Sequence, residues 1–124
     1  MSGITRYAAP GATRASAVVH DGRVFTVATS PDKSPSIETQ TRAALAQLDR
    51  HLAEAGTDRS RLLSVTVYLA DIALKPGLNA VWDAWDDPAS PPQRACVGAA
   101  LEGDDLVEFV AVAALPPSSG SGPA

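Results

Sequence analysis

The spacing of apolar residues changes several times along this chain, and each change marks an element. Ala17-Val18-Val19 and Arg23-Val24-Phe25-Thr26-Val27 are β-rich runs on either side of His20-Asp21-Gly22. Asp-Gly supplies the positive φ angles of a tight turn, so the pair is expected to be a β-hairpin. A loop with prolines and serines follows at 30–36, where Ser36 is placed to cap a helix. Ile37, Thr41, Ala44, Leu45, Leu48, Leu52 and Ala55 then recur every three or four residues, the face of one long helix that Gly56 stops. Residues 62–69, dense in Val, Leu, Thr and Tyr, have the length of a buried strand. Lys75-Pro76-Gly77 reads as a break, after which Leu78, Val81, Trp82 and Trp85 share the face of a short helix ending near Asp86. Pro91-Pro92 leads into a strand over 94–101, Gly103-Asp104-Asp105 gives a turn, and 106–114 is the last strand.

The expected order is therefore β-β-α-β-α-β-β, an α+β domain with one mixed sheet and both helices on a single face. Residues 1–13 show no sustained period and are set apart as an N-terminal segment, with the domain itself over 14–114. Residues 115–124, rich in Pro, Ser and Gly, cannot bury apolar surface and are expected to form a disordered tail.

Composition narrows the function. A chain of 124 residues supports one core, and with 45% apolar but only 5% aromatic residues that core is built from Ala, Val and Leu. So thin a core makes burial between subunits an attractive supplement. A net charge of −4 with scattered arginines leaves no basic footprint, which argues against nucleic acid as a partner. No apolar run reaches the length of a signal peptide or a membrane span, so a cytoplasmic protein without a membrane partner is expected. Cys96 is the only cysteine, which excludes an intramolecular disulfide and a cysteine-rich metal site. His20 and His51, expected at a hairpin turn and on the polar side of the long helix, have no third ligand at metal spacing. Gly-x-Ser-x-Gly, Gly-x-Gly-x-x-Gly and Gly-Lys-Ser/Thr motifs do not occur. What remains is carboxylate recognition without a metal or cofactor.

Two residues break the apolar pattern where a charge is expensive. Arg94 opens an otherwise apolar strand, and its planar fork either closes a salt bridge with a nearby acid or faces a wet cleft and receives a carboxylate. Glu108 interrupts Leu106-Val107-Phe109-Val110, a position that strand alternation alone can turn to solvent. Cys96, two residues beyond Arg94, shares its face on an extended strand and reads as a small buried hydrophobe rather than a nucleophile.

Five blocks of this sequence, in order, resemble the YjgF/RidA family. They are Gln40-Thr41-Arg42 with Leu52-Ala53-Glu54-Ala55-Gly56, Val65-Thr66-Val67-Tyr68-Leu69-Ala70-Asp71, Asn79-Ala80-Val81-Trp82-Asp83-Ala84-Trp85, Pro92-Gln93-Arg94-Ala95-Cys96-Val97, and 107–114. Asn-x-x-Trp-Asp-Ala-Trp and Arg14-Ala15-Ser16 are most similar to the YoaB-like branch. The resemblance implies a chorismate-mutase-like fold and a homotrimer whose ligand clefts lie between subunits. It also implies a cofactor-independent enamine or imine deaminase that converts reactive 2-imino acids to 2-keto acids and ammonia. In that reading Arg94 grips the substrate carboxylate, Glu108 holds the attacking water, and Asn79 and Cys96 line the pocket.

Two positions depart from the pattern of the family's deaminases. Arg14 stands where they carry an aromatic residue, and Val27-Ala28 where they carry Ser-Gly, so that Arg14 and the Ala28 methyl are expected to reshape the ligand site. Those departures favour altered substrate range, or a carboxylate-binding or regulatory protein without turnover. An accessory enzyme acting on another imine-like intermediate of a biosynthetic pathway fits the same residues. A ribonuclease ranks below these, because the chain is acidic and has no histidine pair positioned for acid and base roles.

Overall fold

The computed structural model describes residues 3–11 and 13–117; residues 118–124 of the expected tail lie outside the described residues. Six strands form one sheet in the order β1-β2-β3-β6-β4-β5, from β1 (Thr5–Ala8), β2 (Ala15–His20), β3 (Arg23–Thr29), β4 (Leu62–Leu69), β5 (Gln93–Gly98) and β6 (Val107–Ala114). All neighbours are antiparallel except β4 and β5, which run parallel. That parallel pair needs a crossover, and α2 (Lys75–Trp85) supplies it; α1 (Ile37–Glu54) connects β3 to β4. The mixed sheet with two helices on one face is as expected, with one strand added at the front.

Local chemistry explains each boundary. Asp21 and Gly22 both take positive φ, 52° and 74°, which makes the β2–β3 turn. Ser36 caps α1 by accepting the Thr39 N–H at 3.1 Å, and Gly56 ends the helix region in a left-handed conformation at φ 93°. The face of Ile37, Thr41, Ala44, Leu45, Leu48 and Leu52 is buried as its spacing requires. It lies on Val24, Ala28, Val65, Val67, Phe109, Ala111 and Ala113 of the sheet.

Three boundaries differ from expectation. Lys75-Pro76-Gly77 is the first turn of α2 rather than a break, since proline in that turn has no N–H to lose. Gly77 also lets the helices meet: a Cβ there would stand 2.5 Å from Ile37 Cγ2. β5 stops at Gly98 because its partner β4 stops at Leu69, and the Ala99 N–H closes the ladder on Leu69 O at 2.9 Å. The sheet begins ahead of residue 14, as Thr5–Ala8 pairs with β2 along the edge. His51 differs as well, being half-buried rather than on a free polar face. Thr26 Oγ1 donates to Ser16 O at 2.7 Å, so it accepts from His51 Nδ1 at 3.0 Å. Desolvation lowers the pKa of that imidazole, opposed by Glu54.

Gln40 has no exposed surface although it is polar. Its Nε2 donates to Ser34 O at 2.7 Å and Asp104 O at 3.0 Å, while Oε1 accepts the Leu106 N–H at 2.8 Å. One amide thereby ties the 30–36 loop and the β5–β6 turn to α1, and Lys33 adds an ion pair to Asp105. Gln40→Leu keeps the volume but strands two carbonyls and one N–H, and it is expected to cost about 2–4 kcal/mol. Urea unfolding of the variant beside the parent protein measures this; a loss under about 1 kcal/mol would show that the three bonds are replaceable.

Candidate functional site

The pleat of the sheet assigns every candidate residue to a face. Arg94 pairs with Val65 and Cys96 with Val67, and both Val65 and Val67 are buried beneath the helices. Arg94 and Cys96 therefore sit on the helix side of β5, where α2 brings Asn79 and Trp82 over them. Glu108 pairs with Thr29 on one side and Tyr68 on the other, out of phase with buried Val107 and Phe109. It projects from the opposite, helix-free face. Three residues and two strands separate Glu108 from Arg94, so their Cα atoms are roughly 14 Å apart. One chain does not bring the two together.

Arg94 is half-buried and its contacts are informative. Nη2 donates to Asn79 Oδ1 at 2.8 Å, and the guanidinium lies 5.2 Å from the centre of the Trp82 ring. Trp82 is itself fixed, stacked on Phe109 at 6.1 Å and against Trp85 at 5.3 Å. Nη1 is shut off from solvent and has no hydrogen-bond partner among the described residues. A guanidinium held by a neutral amide and an aromatic face keeps its full charge and an unused donor, a combination suited to a carboxylate. The salt bridge that sequence allowed is not formed: the ion pairs among the described residues are His20–Asp21, Lys33–Asp105 and Arg59–Asp49.

Asp86, which caps the C-terminus of α2, is a residue that the sequence did not single out. Its Oδ1 is also buried with no partner among the described residues, and desolvation raises its pKa, reinforced by the charges of Asp87 and Asp83 and opposed by the Asp87 backbone N–H and by Arg94. Two unpartnered polar atoms thus lie along α2, one on Arg94, which contacts Asn79 and Trp82, and one on Asp86, close enough for the Arg94 charge to act on its carboxyl. The only signal in the sequence was an Asp-Asp pair following a helical Trp, which is too common to point to a site.

The remaining candidates lie elsewhere. Cys96 is half-buried and packs on the core beside the Arg94 site. Ala28, expected against a ligand, is wholly buried under α1, paired with Phe109, so within one chain its methyl is part of the core. Val27 beside it is 47% exposed on the helix-free face. Arg14 is exposed just before β2, near the edge of the sheet far from Arg94. No helix among the described residues is long and apolar enough to cross a membrane.

Comparison with known proteins agrees with this architecture. The sequence model of the family described as Endoribonuclease L-PSP matches residues 4–115. A RutC family protein of Haemophilus ducreyi is 40% identical over 85 residues, 68% of this chain and 73% of that protein. RutC family protein YoaB of Escherichia coli K12 is 31% identical, over 68% of this chain and 74% of its own length. Among solved structures, a YjgF family member from Neisseria meningitidis superposes with a TM-score of 0.88 at 32% identity, covering 94% of this chain and 98% of that one. An uncharacterised protein from Pseudomonas aeruginosa gives 0.85 at 36% identity, covering 92% and 100%.

Because Arg94 is held by a neutral amide and an aromatic ring, Arg94→Ala is expected to cost no more than about 2 kcal/mol of stability. Loss of one partner from a buried ion pair would cost about 3–5 kcal/mol. Denaturant unfolding of the variant separates the two, and the larger loss would make Arg94 a structural residue.

Proposed function

We propose, from the premise that this chain belongs to the family described as Endoribonuclease L-PSP, the YjgF/RidA proteins, that it is a cofactor-independent deaminase of reactive 2-imino and enamino acids. The observation that carries this reading is the buried, unpartnered Nη1 of Arg94 beside a second guanidinium nitrogen already oriented by Asn79. A 2-imino acid carboxylate would satisfy that donor, and its binding places the adjacent C=N carbon next to the site. That carbon is electrophilic already, so catalysis requires a positioned water more than a strong base. Water oxygen bonds to the carbon as the C=N pair moves to nitrogen, which is protonated. Collapse of the carbinolamine breaks the C–N bond and yields the 2-keto acid and ammonia.

Glu108 is the carboxylate suited to hold that water, yet it projects from the other face. It can serve Arg94 only if another copy supplies it. Two features favour such an assembly. The sheet has open edges at β1 and β5. Its helix-free face also exposes Phe25, Val27 and Val97, 41–47% accessible and in line with Val110 and Val112 across β3 and β6. Burying this face among three copies, sheets inward, removes the apolar surface and brings the Arg94 side of one copy to the Glu108 side of the next. Nuclease activity, which the family description names, fits poorly with a net charge of −4.

Light scattering is expected to give a trimer, and a stable monomer would remove the composite site. With 2-iminopropanoate or 2-iminobutanoate made in situ by an amino acid oxidase, ammonia and keto-acid release is expected to exceed the uncatalysed rate. Arg94→Ala should lose most of this. Arg94→Lys should recover little, since an ammonium lacks the two-point fork. Glu108→Gln should lose turnover while still binding 2-oxobutanoate. Release no faster than the uncatalysed rate would sink the deaminase reading, and saturable keto-acid binding in its place would favour a carboxylate-sensing protein.

A further inference from the structure

Ile72 is a large apolar side chain left 50% exposed, and burying the helix-free face among copies does not cover it. It belongs to the other side of the sheet. Gly98 pairs with Leu69, a core residue beneath the helices, and a Cβ on Gly98 would stand 3.4 Å from the Ile72 Cβ. Ile72 therefore overhangs the helix side of β5, the side of Arg94 and Cys96. Having no side chain, Gly98 leaves the space beneath Ile72 open.

The row Arg94, Cys96, Gly98 leads from the free guanidinium to this overhang. Ile72–Leu74 is a single 3-10 turn that runs without a break into α2 at Lys75. Because α2 is the crossover between parallel strands, it runs antiparallel to β5, with its start at the Gly98 end and its end near Gln93. Arg94 stands at the opening of β5 yet hydrogen-bonds Asn79, which is nearer the start of α2 than its end. Its guanidinium is thereby drawn along the strand toward Cys96 and Ile72. The helix rise from Ile72 to Asn79 is on the order of 10 Å, within reach of a ligand side chain whose carboxylate is held at Arg94. No side chain of Cys96, Gly98 or Ile72 offers a charge or a strong hydrogen bond. The charges flanking Ile72 in the chain, Asp71 and Lys75, are of opposite sign, and Asp71 Oδ1 already accepts the Ala73 N–H at 2.9 Å.

Resting on the deaminase reading, we propose that Ile72 is a specificity-determining residue and that the substrates are 2-imino acids with a branched or aromatic apolar side chain. The carboxylate binds Arg94, the side chain extends past Cys96 over Gly98, and Ile72 covers its end. This surface takes no part in bond making, so water adds at C=N and ammonia leaves as before. A methyl side chain would leave Ile72 in water. A charged one would give up its own hydration on this row with nothing to replace it.

The test compares 2-imino-4-methylpentanoate with 2-iminopropanoate, each made in situ by an amino acid oxidase, alongside titration with the products 4-methyl-2-oxopentanoate and pyruvate. Three extra carbons, about half covered by protein, set the expected preference for the larger compound at about tenfold in kcat/KM and in binding. Ile72→Ala should cut that ratio to about threefold or less. Gly98→Val, which fills the space beneath Ile72, should lower it as well. Leu63, 48% exposed at the opposite end of β4, supplies a control, since Leu63→Ala should leave the ratio as it is. Turnover of both imines without preference for the larger, or a preference that survives either site variant, overturns the Ile72 assignment and leaves the deaminase reading standing. Absence of turnover on either imine overturns the deaminase reading. In that case tighter binding of 4-methyl-2-oxopentanoate that depends on Ile72 still supports the apolar subsite, and equal binding of the two keto acids removes it.

Discussion

Alternation along β6 is the constraint on which the rest of this molecule turns. Val107, Phe109, Ala111 and Ala113 must lie beneath the helices, because they and the apolar face of α1 are the core. Glu108, Val110 and Val112 are then forced to the other side, where no element among the described residues covers them. The same alternation on β5 directs Arg94 and Cys96 toward α2. A fold stabilised in this way places Arg94 and Glu108 on opposite faces of one sheet.

The helix side is organised to keep one charge available. Burying a guanidinium without compensation is costly, and an acidic partner would compensate it while also quenching it. Asn79 and Trp82 take a different course, with one hydrogen bond to a neutral oxygen and one ring face. Trp82 can serve because Phe109 and Trp85 already hold it. At the C-terminal end of α2, Arg59 donates to Asp49 at 2.8 Å and lies 4.5 Å over the Trp85 ring, tying the helix end to α1. The tryptophans thus connect the core to the charge.

Loop placement depends on the buried Gln40 amide, whose nitrogen and oxygen are both hydrogen-bonded. Gln40 holds the segment after β3 and the turn before β6, which are the two ends of strands that carry Thr29 and Glu108. Its three bonds transmit the position of α1 to the edge of the helix-free face. Loss of that amide would therefore be felt at the site as well as in stability.

Local chemistry made much of this legible in the sequence. Ser36, the Asp21-Gly22 pair, Gly56 and the three- and four-residue spacing of α1 act within a few residues of one another, so the hairpin and the long helix could be read directly. Arg94 and Glu108 stood out because each interrupts an apolar strand. Other features depend on partners distant in the chain. The Thr5–Ala8 strand carries little apolar pattern and exists because β2 offers an edge. Gln40 is buried because residues 34, 104 and 106 converge on it. Asp86 becomes unusual only where α2 ends near Arg94. Above all, the sequence named Arg94 and Glu108 without saying that they face apart: a strand's period shows which of its own residues share a face, whereas the relation between two strands depends on register, which only the assembled sheet decides.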